Sequence, residues 1–187
     1  MGLVMARDGS VEDRITSSTL RLLRAGGPRP VTVEAVAATS GVAKTTIYRR
    51  YRDRRELLMK TLSTLATPAP LDPDTDPTGR LRWIIDRAIE TVQDGVGLGG
   101  VAAMLTDEDP EFSTLFRRIL AEQRDHLTSV IDSGRAQGSI RAEVDGATLI
   151  DAIVGAYIAE YARTGTVAAQ WTSRLFDLLW PAVQPLR

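Results

Sequence analysis

Cysteine is absent from the 187 residues, and histidine occurs once, as His126. Disulfides, thiolate metal sites and cysteine nucleophiles are thereby excluded, and one imidazole cannot build most catalytic or zinc arrangements. No enzyme, metal or cofactor is expected, although carboxylate chemistry stays open. Also missing is any run near the ~20 apolar residues that a membrane helix needs. The opening MGLVMARDG is too short and too polar for a signal peptide. The cytoplasm is the expected location, with no membrane partner. Aromatics are few, at 5%, but 43% apolar and 25% charged residues describe an ordinary globular chain.

An excess of one charge is lacking too, with 23 basic residues against 24 acidic. The balance hides an asymmetry. Residues 1–60 hold twelve Lys and Arg against six Asp and Glu, whereas residues 61–187 hold eleven against eighteen. A basic head on an acidic body suits a chain of which only one end meets a polyanion.

Within the basic part, TVEAVAATSGVAKTTIYRRY (residues 32–51) reads as two short helices about one glycine. Val33, Val36 and Ala37 recur at one-sided helical spacing, Ser40-Gly41 breaks the pattern, and Ala43, Ile47 and Tyr51 resume an i, i+4, i+8 stripe. Gly41 suits the tight reversal of a helix-turn-helix because it lacks Cβ. With that stripe turned inward, the other face of the second helix presents Lys44, Thr45, Thr46, Tyr48 and Arg49. These donors suit phosphates and base edges. Thr32 stands at the N-cap, where its hydroxyl caps the helix, contacts a phosphate, or both.

The pattern T-V-x-x-V-A-x-x-x-G-V-x-K-x-T-x-Y-x-x-Y, from Thr32 to Tyr51, resembles the tetracycline-repressor (TetR) family of bacterial transcription regulators. By motif the likeness covers about residues 11–62. Two positions depart from it: Ala43 stands where the family commonly has a capping serine, and Thr45 where it often has a smaller residue. The resemblance implies double-stranded operator DNA as partner and a phosphate contact at Arg54. It further implies a homodimer through the last two helices, and a small molecule that binds the body and releases the operator.

The remaining helices follow from periodicity. Residues 1–9 are expected to form an arm from which Arg7 could reach DNA. Ile15, Ser18, Thr19, Leu22 and Leu23 share a face of a first helix that ends at Gly26-Gly27, and Asp53 with Glu56 marks another start. Residues 67–79, with four prolines and three aspartates, are expected to be a loop. After it come a helix through Leu81, Ile84, Ile85, Ala88, Ile89 and Val92, a glycine joint at residues 95–100, and a short helix over 101–105. A long helix over 109–133 and two more over 145–163 and 168–183 complete the chain.

The expected fold is all-α with about nine helices: a helix-turn-helix DNA-binding domain at 1–60 and a ligand-binding and dimerisation domain at 61–187. DNA contacts are assigned to Thr32, Lys44, Thr45, Thr46, Tyr48, Arg49 and Arg54. A mostly apolar effector is expected between Trp83, Met104, Phe116 and Tyr157, with Arg87, Gln123 and His126 as donors. The dimer interface is assigned to Ile153, Gly155, Ala156, Ala159, Trp171, Leu175 and Leu179, where small residues let helices approach closely. Rival readings are a helical enzyme carrying the head and a dimerising structural protein whose head has lost DNA binding.

Overall fold

The computed structural model describes residues 10–65 and 70–185; Arg7 and the first part of the expected loop lie outside them. Among the described residues there are nine α-helices and no strand. They are α1 Val11–Gly26, α2 Val33–Ser40, α3 Lys44–Arg50, α4 Arg54–Ser63, α5 Pro77–Glu90, α6 Gly97–Leu105, α7 Pro110–Ala136, α8 Gly146–Thr164 and α9 Trp171–Val183. A short π-helical segment, Thr91–Val96, joins α5 to α6. The all-α class is as the periodicity predicts.

Two compact units divide the chain. One contains the described residues of Met1–Thr64 together with Gly95–Phe116; the other contains those of Leu65–Asp94 and Arg117–Arg187. Residues 95–116, which the sequence assigns to the body, therefore cluster with the N-terminal helices.

In the first unit α1 packs on α2, α4 and α6. A reciprocal cap starts it: the Asp13 N–H donates to Ser10 Oγ at 3.1 Å and the Ser10 N–H to Asp13 Oδ2 at 2.8 Å. Ile15, Ser18, Thr19 and Leu23 are buried, while Leu22 is half-buried at the edge of the stripe. The glycine joint is itself helical, because α6 begins at Gly97 rather than near 101. Within Thr91–Val96 Gly95 leaves helical angles, at φ −85° and ψ −107°, and Gly97 takes a positive φ of 65° where α6 begins. A Cβ on Gly99 would stand 2.9 Å from the Gly27 nitrogen and 2.9 Å from the Leu23 carbonyl oxygen. Glycine there serves a backbone-to-backbone crossing of α6 over the end of α1.

In the second unit α5 starts at Pro77, inside the stretch expected to be loop. Asp76 Oδ1 accepts the Gly79 N–H at 2.7 Å, and proline suits a first helical position because its missing N–H would have no partner there. Leu81, Ile84, Ile85, Ala88 and Ile89 are buried as expected, and α5 packs against α8 and α9. The 27-residue α7 runs three residues past its expected end. Its Phe112 and Phe116 stack at 5.6 Å in the first unit, and Ile119, Leu127 and Ile131 are buried in the second.

Candidate nucleic-acid interface and body cleft

The turn between α2 and α3 is built from local bonds. Thr32 Oγ1 accepts the Ala35 N–H at 3.1 Å and so caps α2. Gly41 takes the left-handed conformation, φ 67° and ψ 17°, and donates its N–H to the Ala37 carbonyl. Ser40 Oγ accepts the Val42 N–H at 3.2 Å. Val42, not Ala43, fills the inner position before α3: Ala43 is exposed, with no side-chain cap. As the N-cap residue it has non-helical angles, so the stripe that places Ile47 and Tyr51 in the core does not extend back to it.

Lys44, Thr45, Tyr48 and Arg49 are exposed on α3, and Thr46 is half-buried. Tyr48 keeps 51% of its surface accessible, unusual for a large ring. Arg50, absent from the expected set, is exposed as well. Lys44 Nζ lies 3.5 Å from Glu34 Oε1, both side chains being in water, where such a pair is weak enough for a phosphate to replace.

Arginines position this surface from behind. Arg14 donates from Nε and Nη2 to the Ser40 carbonyl at 3.1 and 2.6 Å, and Arg21 Nη2 donates to the Thr39 carbonyl at 3.0 Å. Cations thus meet the negative end of α2 and satisfy its last carbonyls. Arg54 donates to the Val31 and Pro28 carbonyls at 2.7 and 2.6 Å, and to Asp109 Oδ2 at 2.9 Å. It is therefore an anchor of the loop that leads into α2, and any phosphate contact would be shared with that work.

Carboxylates around the head are held ionised. Burial disfavours the Asp109 carboxylate, but the Phe112 N–H and the Arg54 guanidinium outweigh it, leaving the carboxyl below its ordinary range. Asp53 accepts the Glu56 N–H at 2.8 Å, and Glu56 reaches back to the Arg52 N–H at 2.7 Å. These backbone bonds hold both carboxyls low and begin α4.

The second unit contains a cleft of about 570 Å³. Its lining includes Asp86, Arg87, Glu90 and Asp94 along α5 and its continuation, Tyr157 and Tyr161 from α8, and Trp171 from α9. Of the expected ligand residues it brings together Arg87 and Tyr157. Gln123 is buried, but its Nε2 donates to the Arg87 carbonyl at 3.1 Å, and His126 is exposed. Trp83 is half-buried and does not line the cleft, while Met104 and Phe116 belong to the other unit. The acidic residues were missed although their spacing of four, at 86, 90 and 94, is visible in the sequence. The lining is mixed rather than mostly apolar.

The α8 and α9 residues assigned to dimerisation separate into two sets. Ile153, Trp171 and Leu175 are buried within the single chain, because the faces carrying them pack on α5. Gly155 and Ala159 are exposed, and Ala156 and Leu179 half-buried. Leu178, absent from the expected set, is 73% exposed.

Comparison with known proteins accounts for both parts of the chain. The family described as bacterial regulatory proteins, tetR family, matches residues 15–60, and the tetracyclin repressor-like C-terminal domain matches residues 72–179. The uncharacterized HTH-type transcriptional regulator YdeS of Bacillus subtilis is 25% identical over 158 residues, covering 80% of this chain and 77% of its own. A TetR-family regulator from Agrobacterium tumefaciens superposes with a TM-score of 0.67 at 19% identity, covering 94% of this chain and 98% of its own. A protein from Saccharomonospora viridis, solved in complex with choline, superposes with a TM-score of 0.62 at 17% identity, covering 94% and 98%. With its C-terminal match alone spanning more than half of the residues, and with a donor-lined second helix in its helix-turn-helix, the chain belongs to the TetR family of DNA-binding transcription regulators.

Proposed function

We propose that the protein is a homodimeric repressor that binds a pseudo-palindromic operator and leaves it when a small molecule occupies the second unit. The observation that carries the reading is the exposed face of α3, held by the Gly41 turn and by Arg14 and Arg21 behind α2. Thr32, Lys44, Tyr48 and Arg54 are assigned to phosphates, and Thr45, Thr46 and Arg49 to bases. Such regulators act where the DNA is, in the cytoplasm. Exposed Gly155, Ala159 and Leu178 support a two-fold contact through α8 and α9.

The cleft beside Tyr157 supports an effector site, and the choline complex of the Saccharomonospora viridis protein is consistent with a small ligand in this fold. A ligand releases DNA only through different affinities for the two states, and a coupling of ~1–3 kcal/mol weakens the operator about 5–150-fold. The reading is tested by salt-titrated binding to fragmented genomic DNA, followed by sequencing of the retained fragments. A recovered pseudo-palindrome, with half-sites roughly one helical turn (~34–36 Å) or somewhat more apart, is the expected result. Retention without any common sequence would refute it.

A further inference from the structure

We propose that the acidic turn leading from α6 into α7 is a built-in competitor of DNA: Glu108 and Glu111 occupy Arg29 and Arg55, two arginines that take DNA phosphates once those carboxylates let go. The inference rests on the DNA-binding reading and names a restraint on that same interface. Arg29 stands three residues before Thr32, the N-cap of α2, and Arg55 lies in the first turn of α4 beside Arg54. Arg54 draws the two helix starts together, because it is rooted in α4 and donates to the Val31 and Pro28 carbonyls ahead of α2. Two helix starts and three guanidiniums give this edge a positive character. Asp53 and Glu56 stand there as well, but both accept N–H groups beside their own turn, and Glu56 also pairs with Lys60 at 3.0 Å.

Opposite that edge, residues 107–111 carry four carboxylates in five positions, between the end of α6 and the first turn of α7. Glu108 Oε1 lies 2.6 Å from Arg29 Nε, Asp109 Oδ2 lies 2.9 Å from Arg54 Nη2, and Glu111 Oε1 lies 3.0 Å from Arg55 Nε. One turn thus answers three arginines, all within the first unit. Carboxylate and phosphate oxygens seek the same guanidinium donors, so a donor that serves one is withheld from the other.

The three pairs differ in how readily they exchange. Asp109 is the fixed member, since it also accepts the Phe112 N–H at 3.0 Å and its side chain is only 17% exposed. The outer arginines are loose: the Arg29 and Arg55 side chains are 74% and 71% exposed. Exposed pairs contribute little, so a row of phosphates can displace Glu108 and Glu111 while Asp109 keeps the turn in place. Phosphates carry no sequence, and the restraint therefore acts on every duplex alike.

The experiment is a double-mutant cycle on the full-length protein, read by fluorescence anisotropy with a random duplex and with the operator recovered from genomic fragments. Glu108→Gln is expected to tighten both duplexes about threefold and to steepen the salt dependence, whereas in an Arg29→Gln background the same change should gain little. Glu111→Gln with Arg55→Gln forms a second, independent cycle, and melting temperature checks that each variant folds. Gains of equal size with and without the arginine in both cycles would mean plain repulsion of DNA by the carboxylates, and no gain in either would leave a staple with no part in binding. Either result on a recovered operator overturns this inference alone. A wild-type protein that binds neither duplex would overturn it together with the DNA-binding reading.

Discussion

Arg54 Nη2 lies 2.9 Å from Asp109 Oδ2, so the first turn of α4 shares one guanidinium with the carboxylate that accepts the Phe112 N–H at the start of α7. Because the same side chain holds the Val31 and Pro28 carbonyls, Arg54→Ala should lower stability by about 2 kcal/mol. Arg54→Lys should recover little, since an ammonium cannot span the three acceptors as a planar fork does. Urea unfolding midpoints decide this, and an Arg54→Ala midpoint equal to the wild type would dismiss the anchor.

Acid should expose the same bond. The Asp109 carboxyl is depressed in the folded chain, so its contribution is complete above the ordinary carboxylate pKa of ~3.9 and is lost as pH falls through the lower folded value. The stability gap between wild type and Arg54→Ala should therefore narrow as pH drops below about 4. Urea titrations from neutral to acid pH measure it; a gap independent of pH would contradict the assignment.

At the recognition turn, two substitutions should act in opposite directions. Ala43→Ser supplies the side-chain cap that α3 lacks and should stabilise by ~1 kcal/mol. Gly41→Ala forces a Cβ into the left-handed conformation and should cost ~1–2 kcal/mol. Thermal unfolding followed by circular dichroism reads both.

On DNA, Tyr48→Phe removes a proposed phosphate contact and should weaken specific and random duplexes alike, with the salt slope unchanged because a neutral phenol releases no counterion. Arg49→Ala removes a proposed base contact, costing ~1–3 kcal/mol on the operator and relaxing one position. Equal effects of both substitutions on operator and random DNA would end the division between them.

A Cβ on Gly155 would meet nothing within 4 Å, so Gly155→Leu leaves the packing of the single chain intact. It should nevertheless drive the proposed dimer toward monomer if α8 meets its symmetry copy there. Light scattering at micromolar concentration is the readout. An unmodified protein that is already monomeric would remove the interface altogether.

Helices with one-sided stripes were legible because burial leaves a period: Ile47 and Tyr51, or Ile84, Ala88 and Ile89, need no partner to be recognised as inward. Ends were less legible. The Ser10 cap and the Pro77 start depend on single side chains rather than on a period. Arg14, Arg21 and Arg54 bond to backbone carbonyls 18 to 26 residues away, and a carbonyl has no letter in the sequence. The ligand set suffered most. Stripe residues such as Gln123 were chosen for polarity on a helical flank, whereas the cleft depends on which helices become neighbours, and only the structure sets α5 beside α8 and α9.

The contact of Gly99 with the end of α1 has a mechanical meaning. Most helix crossings are cushioned by side chains that can change rotamer and take up a small displacement, but here Gly99 and Gly27 put main chain against main chain. No soft layer lies between them. A shift of α6 along that crossing must move the end of α1 or be refused, so the joint behaves as a rigid bearing within its unit, and an added methyl at Gly99 would jam it.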